Sequence, residues 1–293
     1  MQTKHSFVTE DGTTLTYYRW RQSLQPKPLL VLVHGLGSNH TRWSELIDNS
    51  RLNHYWDIIA PDLRGHAESF TRGKITLEMW ANDLQAILNR ENHSTAVFIG
   101  HSMGAHVLLH FFKLYPHSMR AMVLIDPLSP AGFTPQMIWL WRLRGLVYLI
   151  IALLRVTNFL GIRRKRIPLR DLRDLDRHAR QLIAQGKQDE MVKQYGSLRL
   201  DLRYNPTANY LQYTIQTLRP LPVIDSTTIE VLIMLSAGSS YQQGEAEHAL
   251  ISQIPHATIV EIHCNHWPLT ERPQEVRNII ETWLQHVLDT SFS

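Results

Sequence analysis

A chain of 293 residues that is 44% hydrophobic and 19% charged can bury a core of its own, which excludes a disordered or fibrous polypeptide. The single cysteine, Cys264, excludes an intrachain disulfide framework and suits a reducing cytoplasm. The formal charge of +4 is unevenly held: residues 133–222 carry 16 Lys/Arg against 6 Asp/Glu, and the rest 14 against 20, so +10 in the middle faces −6 elsewhere.

The first ten residues lack an apolar run and a small-residue cleavage site, so no secretory signal is expected. Residues 6–19 alternate in polarity around Asp11-Gly12, a dipeptide that favours a tight turn, and predict a β-hairpin. The short apolar runs at 28–33, 57–60, 96–99, 121–125, 231–235 and 258–262 read as strands, the most apolar of them buried on both faces. Helical spacing at 77–88, 105–114 and 273–287 falls between or after them. This alternation predicts an α/β fold with a doubly wound, mostly parallel sheet, whose ligands bind outside the carboxyl ends of the strands. No strand-like run occurs from 133 to 222, which predicts an inserted helical cap, with 1–132 and 223–293 forming the core. The longest apolar tract, Gly145 to Leu154, is far shorter than the roughly 20 residues that span a bilayer.

Chemistry concentrates at strand ends. Gly100-His101-Ser102-Met103-Gly104 places a serine between two glycines, just past a strand and ahead of a helix. Such a turn strains the serine backbone, closes only with small neighbours, and presents the hydroxyl beside a helix N-terminus that favours negative charge. An N-capping serine is the plain alternative. His34-Gly35-Leu36-Gly37 supplies a second loop, so the backbone N–H groups of Leu36 and Met103 are the candidate oxyanion donors. A serine hydroxyl needs a neutral imidazole to take its proton, and His266, between the last strand and the last helix, is the candidate base among 16 histidines. His34 and His101 are assigned to shaping the oxyanion loop and the elbow.

Taken with Asp62-Leu63-Arg64-Gly65-His66-Ala67-Glu68-Ser69, Leu124-Ile125-Asp126 and His266-Trp267-Pro268, these pieces resemble, in order and spacing, the α/β-hydrolase superfamily in its capped esterase, thioesterase and lipase-like branch. The resemblance implies the α/β-hydrolase fold and a serine nucleophile. It also implies loop-packing and ion-pair roles for Asp62 and Arg64. The family's usual acid, a few residues past the strand ending at Leu235, is missing: 236–243 contain no carboxylate. Asp126 occupies the relocated position used by some members and is assigned as the acid, with Glu245 and Glu247 as alternatives. Cys264 has no cationic neighbour in sequence and is expected to be inert.

The expected activity is hydrolysis of a carboxylic ester or thioester with an apolar acyl part, through Ser102, His266 and Asp126, needing neither metal nor organic cofactor. Within the same fold, C–C bond hydrolases and cofactor-free haloperoxidases use a similar triad. A non-catalytic ligand-binding homologue is the alternative of another class. Trp139, Trp141, Leu146 and Tyr148 are expected to line the acyl pocket from the cap. The basic segment points to an anionic partner, either a carrier protein or a membrane surface met peripherally, and not to nucleic acid, since no recognition motif accompanies it.

Overall fold

The fold begins with strands β1 (Gln2–Val8) and β2 (Thr14–Trp20), paired antiparallel across the Asp11-Gly12 turn. This computed structural model describes residues 2–23, 25–128, 133–222, 229–238, 254 and 256–289. β3 (Leu29–Val33), β4 (Asp57–Asp62), β5 (Ala96–His101), β6 (Met119–Ile125), β7 (Glu230–Ser236) and β8 (Thr258–Ile262) complete an eight-stranded sheet. Its order is β1-β2-β4-β3-β5-β6-β7-β8, parallel from β4 to β8. Every run read as a strand is one.

Both faces of the sheet are covered, which is why its central strands are apolar at every position. In β3, Leu29, Val31 and Val33 join one cluster with Trp80, Phe98 and Phe111, while Leu30 and Leu32 join a second with Trp43, Trp56 and Leu284. The first cluster lies under helices α3 (Leu77–Arg90) and α4 (Met103–Leu114). The second lies under α1 (Ser44–Asn49), α2 (Leu52–Tyr55) and the C-terminal helix Pro273–Asp289. Thr76 caps α3, its side chain accepting from Met79 N–H at 3.2 Å.

Between β6 and β7 the described elements are all helices: α5 (Pro135–Arg142), α6 (Arg144–Phe159), α7 (Leu172–Ala184), α8 (Gln188–Tyr195), α9 (Leu198–Tyr204) and α10 (Thr207–Thr217). This insertion is fastened to the loops above the sheet. Asn39 Nδ2 donates to Arg170 O at 2.6 Å, and Leu172 N–H to Thr41 Oγ1 at 3.0 Å. Arg42 Nη1 donates to Asp176 Oδ1 at 2.6 Å and to Thr270 Oγ1 at 2.8 Å, all three buried. On the other side, the Oε1 atoms of Gln212 and Gln216 accept from Ile75 and Leu77 N–H at 3.0 and 3.1 Å. Buried backbone groups of the core loops thus find their partners on the insertion, which sets it over the carboxyl ends of the strands.

Candidate active site

The turn from β5 into α4 holds Ser102 at φ 53°, ψ −116°, a left-handed conformation sparsely populated for a side-chain-bearing residue. Its amide donates to Ile125 O at 2.9 Å, tying the turn to β6. The flanking glycines are required sterically. A Cβ on Gly104 would meet Val33 O at 2.2 Å, and one on Gly100 the Gly104 carbonyl carbon at 2.7 Å. The hydroxyl of Ser102 makes no capping hydrogen bond to α4, which disposes of the N-cap alternative. It donates instead to His266 Nε2 at 2.9 Å.

His266 follows β8 and leads into the short helix Pro268–Glu271. Its Nδ1 is hydrogen-bonded to Asp126 Oδ2, and in the tautomer that donates to this oxygen the Nε2 lone pair faces the Ser102 hydroxyl. Asp126, fully buried at the end of β6 with φ 47°, accepts from Ser236 N–H at 3.1 Å through Oδ1 and gives its own amide to Met234 O at 2.7 Å. It thus reaches the histidine across the end of β7, held there by the Ser236 amide. Glu245 and Glu247 lie outside the described residues.

Behind this chain of three stand the other histidines. His34 Nδ1 donates to Gly35 O at 2.8 Å and its Nε2 accepts from Leu63 N–H at 3.0 Å, so it pins the loop after β3 to the loop after β4. His101 Nε2 donates to His266 O at 3.1 Å. Both act on backbone, as their positions in sequence suggested. The Gly35-Leu36 loop runs against the serine turn: a Cβ on Gly35 would lie 3.1 Å from His101 O and 3.4 Å from Ser102 Cβ. Met103 opens α4, whose first N–H groups have no acceptor within the helix. Asp62 accepts from His40 Nδ1 at 2.8 Å, and Arg64 pairs with Asp83 at 2.7 Å and Asp11 at 2.6 Å, the loop-packing roles expected of them. Burial pushes the Cys264 thiol up to about 12, consistent with an inert side chain.

The buried histidines carry a pH signature. Burial pushes His34 and His106 down to about 4 and His101 to about 3, from an ordinary 6.5. The unfolded chain then binds protons that the folded chain refuses, so stability is complete above pH 6.5 and falls as pH drops toward 4. At pH 5 each of the three costs about 2 kcal/mol. Urea denaturation at pH 7.5 and pH 5 is expected to show a much lower midpoint at pH 5, and an unchanged midpoint would contradict neutral burial of these rings.

A cavity of about 240 Å³ opens over Ser102 and His266. Leu36, Met137, Leu140 and Leu218 give it apolar walls, and Arg42, Tyr195 and Asp201 a polar one. Arg42 and Tyr195 share Asp176, while Asp201 pairs with Arg170 at 2.9 Å. The four side chains expected to line the acyl pocket lie elsewhere. Trp139, Leu146 and Tyr148 are exposed and Trp141 packs beside Val147 and Ile151, so none of the four lines this cavity. The helical period places Met137 and Leu140 on the inward face of α5, whereas an apolar run does not by itself say which face turns inward. Arg42, Tyr195 and Asp201 were not anticipated, since nothing in their local sequence separates them from other charged or aromatic residues of helical segments.

The family described as the alpha/beta hydrolase family matches residues 30–279, and the chain belongs to it. A Haemophilus influenzae protein, provisionally named an esterase/lipase, is 26% identical over 292 residues, covering 96% of this chain and 92% of its own. Among solved structures, a thermophilic esterase from Thermogutta terrifontis superimposes with a TM-score of 0.64 at 19% identity, covering 98% and 99% of the two chains. A Bacillus megaterium epoxide hydrolase does so with a TM-score of 0.62 at 17% identity, covering 96% and 100%. At such identities the superpositions show the fold, which is shared by enzymes of different chemistry.

Proposed function

We propose that this chain is a serine hydrolase that cleaves a carboxylic ester or thioester with an apolar acyl part, the helices between β6 and β7 acting as its cap. The observation that carries the reading is the hydrogen-bonded series Ser102–His266–Asp126 beneath a mostly apolar cavity. Ser102 Oγ attacks the substrate carbonyl as its proton passes to His266 Nε2, and Asp126 stabilises the imidazolium. The tetrahedral oxyanion is held by the N–H groups of Leu36 and Met103. The imidazolium then protonates the leaving alcohol or thiol, leaving an acyl-Ser102. Water, deprotonated by His266, attacks that acyl group, and the departing Ser102 recovers its proton. A hydroxyl stands where a carboxylate nucleophile would be needed to open an epoxide, which favours acyl transfer over the chemistry of the Bacillus relative.

A series of p-nitrophenyl esters of increasing acyl length tests this reading. Each methylene buried in the cavity is worth about 0.8 kcal/mol, roughly fourfold in kcat/KM. The rate constant is expected to climb from acetate and fall once the acyl chain outgrows the cavity. Folded protein with no turnover of any ester in the series, nor of the matching acyl thioesters, would contradict it.

A further inference from the structure

Helix α6 has two unlike faces, both apolar. On one, Val147 and Ile151 are buried with Ile215 of α10, and Arg155 reaches Gln212 Oε1 at 2.8 Å. On the other, Leu146, Leu149, Ile150, Leu153 and Val156 recur at the spacing of a single helical stripe, and all are exposed. The stripe runs on into Phe159, Leu160 and Ile162, which are 89%, 67% and 71% exposed. Single exposed apolar residues need no account, whereas a contiguous stripe marks a surface that meets something.

Charge says what it meets. From 127 to 170 there is no Asp or Glu, while Arg142, Arg144, Arg155, Arg163, Arg164, Lys165, Arg166 and Arg170 lie in the same stretch. Cations therefore stand at both ends of the exposed stripe. Arg142 lies over the exposed Trp139 ring at 6.0 Å, the amphipathic pairing suited to a headgroup layer. Among the described residues no single helix is long and apolar enough to cross a membrane, and α5 and α6, which pass together by composition, are bent by 67°.

We propose that α6 and the segment through Arg166 dock on the surface of an anionic phospholipid bilayer, the stripe entering the interface and the flanking cations meeting lipid phosphates. A stripe without hydrogen-bonding side chains favours this over an acidic protein partner, whose interface would need a polar rim. The docked face adjoins the cavity: Met137 and Leu140 line it from α5, while Ile138 and Trp139 of the same helix face out. An ester drawn from the bilayer would pass α5 to reach Ser102. That corollary rests on the hydrolytic reading; the docking does not.

Co-sedimentation of the full chain with phosphatidylcholine vesicles, with and without phosphatidylglycerol, tests the proposal. Binding is expected only with phosphatidylglycerol. It should weaken at least about tenfold in Arg163→Glu with Arg166→Glu, and likewise in Leu149→Glu with Leu153→Glu, with circular dichroism and fluorophosphonate labelling unchanged. Failure of the wild-type protein to sediment with phosphatidylglycerol vesicles would overturn the docking. So would capture by an acidic acyl carrier protein without vesicle binding, or a dimer in gel filtration that the leucine variant dissociates and that ignores vesicles. Vesicle binding by a protein that takes no label supports the docking while removing the hydrolytic reading.

Discussion

Replacing Ser102 by alanine is expected to lower kcat for ester hydrolysis by about a millionfold, with the fold intact. Alanine removes only Oγ, and that atom makes no capping bond that α4 would miss. What remains is the cavity, the Leu36 and Met103 N–H groups proposed to hold the oxyanion, and His266, which together would leave a residual acceleration of about a thousandfold over water. The left-handed backbone at this position strains alanine much as it strains serine, so unfolding midpoints should agree within a fraction of a kcal/mol. Steady-state rates and thermal melts on the two proteins check both halves. A variant that keeps a tenth of the wild-type rate would remove Ser102 from the chemistry.

Asp126→Asn should cost about ten-thousandfold in kcat while preserving packing. The asparagine carbonyl can still accept from Ser236 N–H, so β6 and β7 stay joined. Its amide then points N–H groups at His266 Nδ1, which must become an acceptor. The ring proton moves to Nε2, where it faces Ser102 and blocks proton abstraction. The smaller loss than for Ser102→Ala follows because the nucleophile and a minority tautomer survive. Retained activity with a native melt would transfer the acid's role to Glu245 or Glu247.

Most of the fold is legible in the sequence, and for a physical reason. Strands buried on both faces leave unbroken runs such as Leu29–Val33 and Ala96–His101 that no surface element produces, so the sheet announces itself. Ser102 was legible because the turn tolerates nothing larger than glycine at 100 and 104, a constraint written in backbone contacts. His266 followed from its place after β8, since in such a sheet those loops open on one side, whereas Asp126 after β6 was assigned from the family resemblance. The cavity wall was not legible. Arg42 comes from a 3₁₀ turn and Tyr195 from the end of α8; they meet through the buried Asp176, which both bind, and through the Arg42 guanidinium lying 5.5 Å over the Tyr195 ring. Their meeting is a product of how the insertion sits on the core, and periodicity within one segment carries no information about that.

The same limit explains the aromatic residues of α5 and α6. An all-round apolar helix shows that a second face is used, without showing which face turns toward the serine. The inward face of α5 holds Met137 and Leu140, while the outward face of α6 holds the stripe bounded by Arg142, Arg144 and Arg163 to Arg166. Substrate selection and membrane contact would then be divided between the inner side of α5 and the outer side of α6.

The central claim is that Ser102 is a nucleophile activated by His266. Incubation with a fluorophosphonate followed by mass spectrometry of the digested protein tests it most directly. A single phosphonyl adduct on the peptide containing Ser102, absent from Ser102→Ala and from His266→Ala, is the predicted result. Folded wild-type protein that takes no adduct, or takes it at another residue, would contradict it.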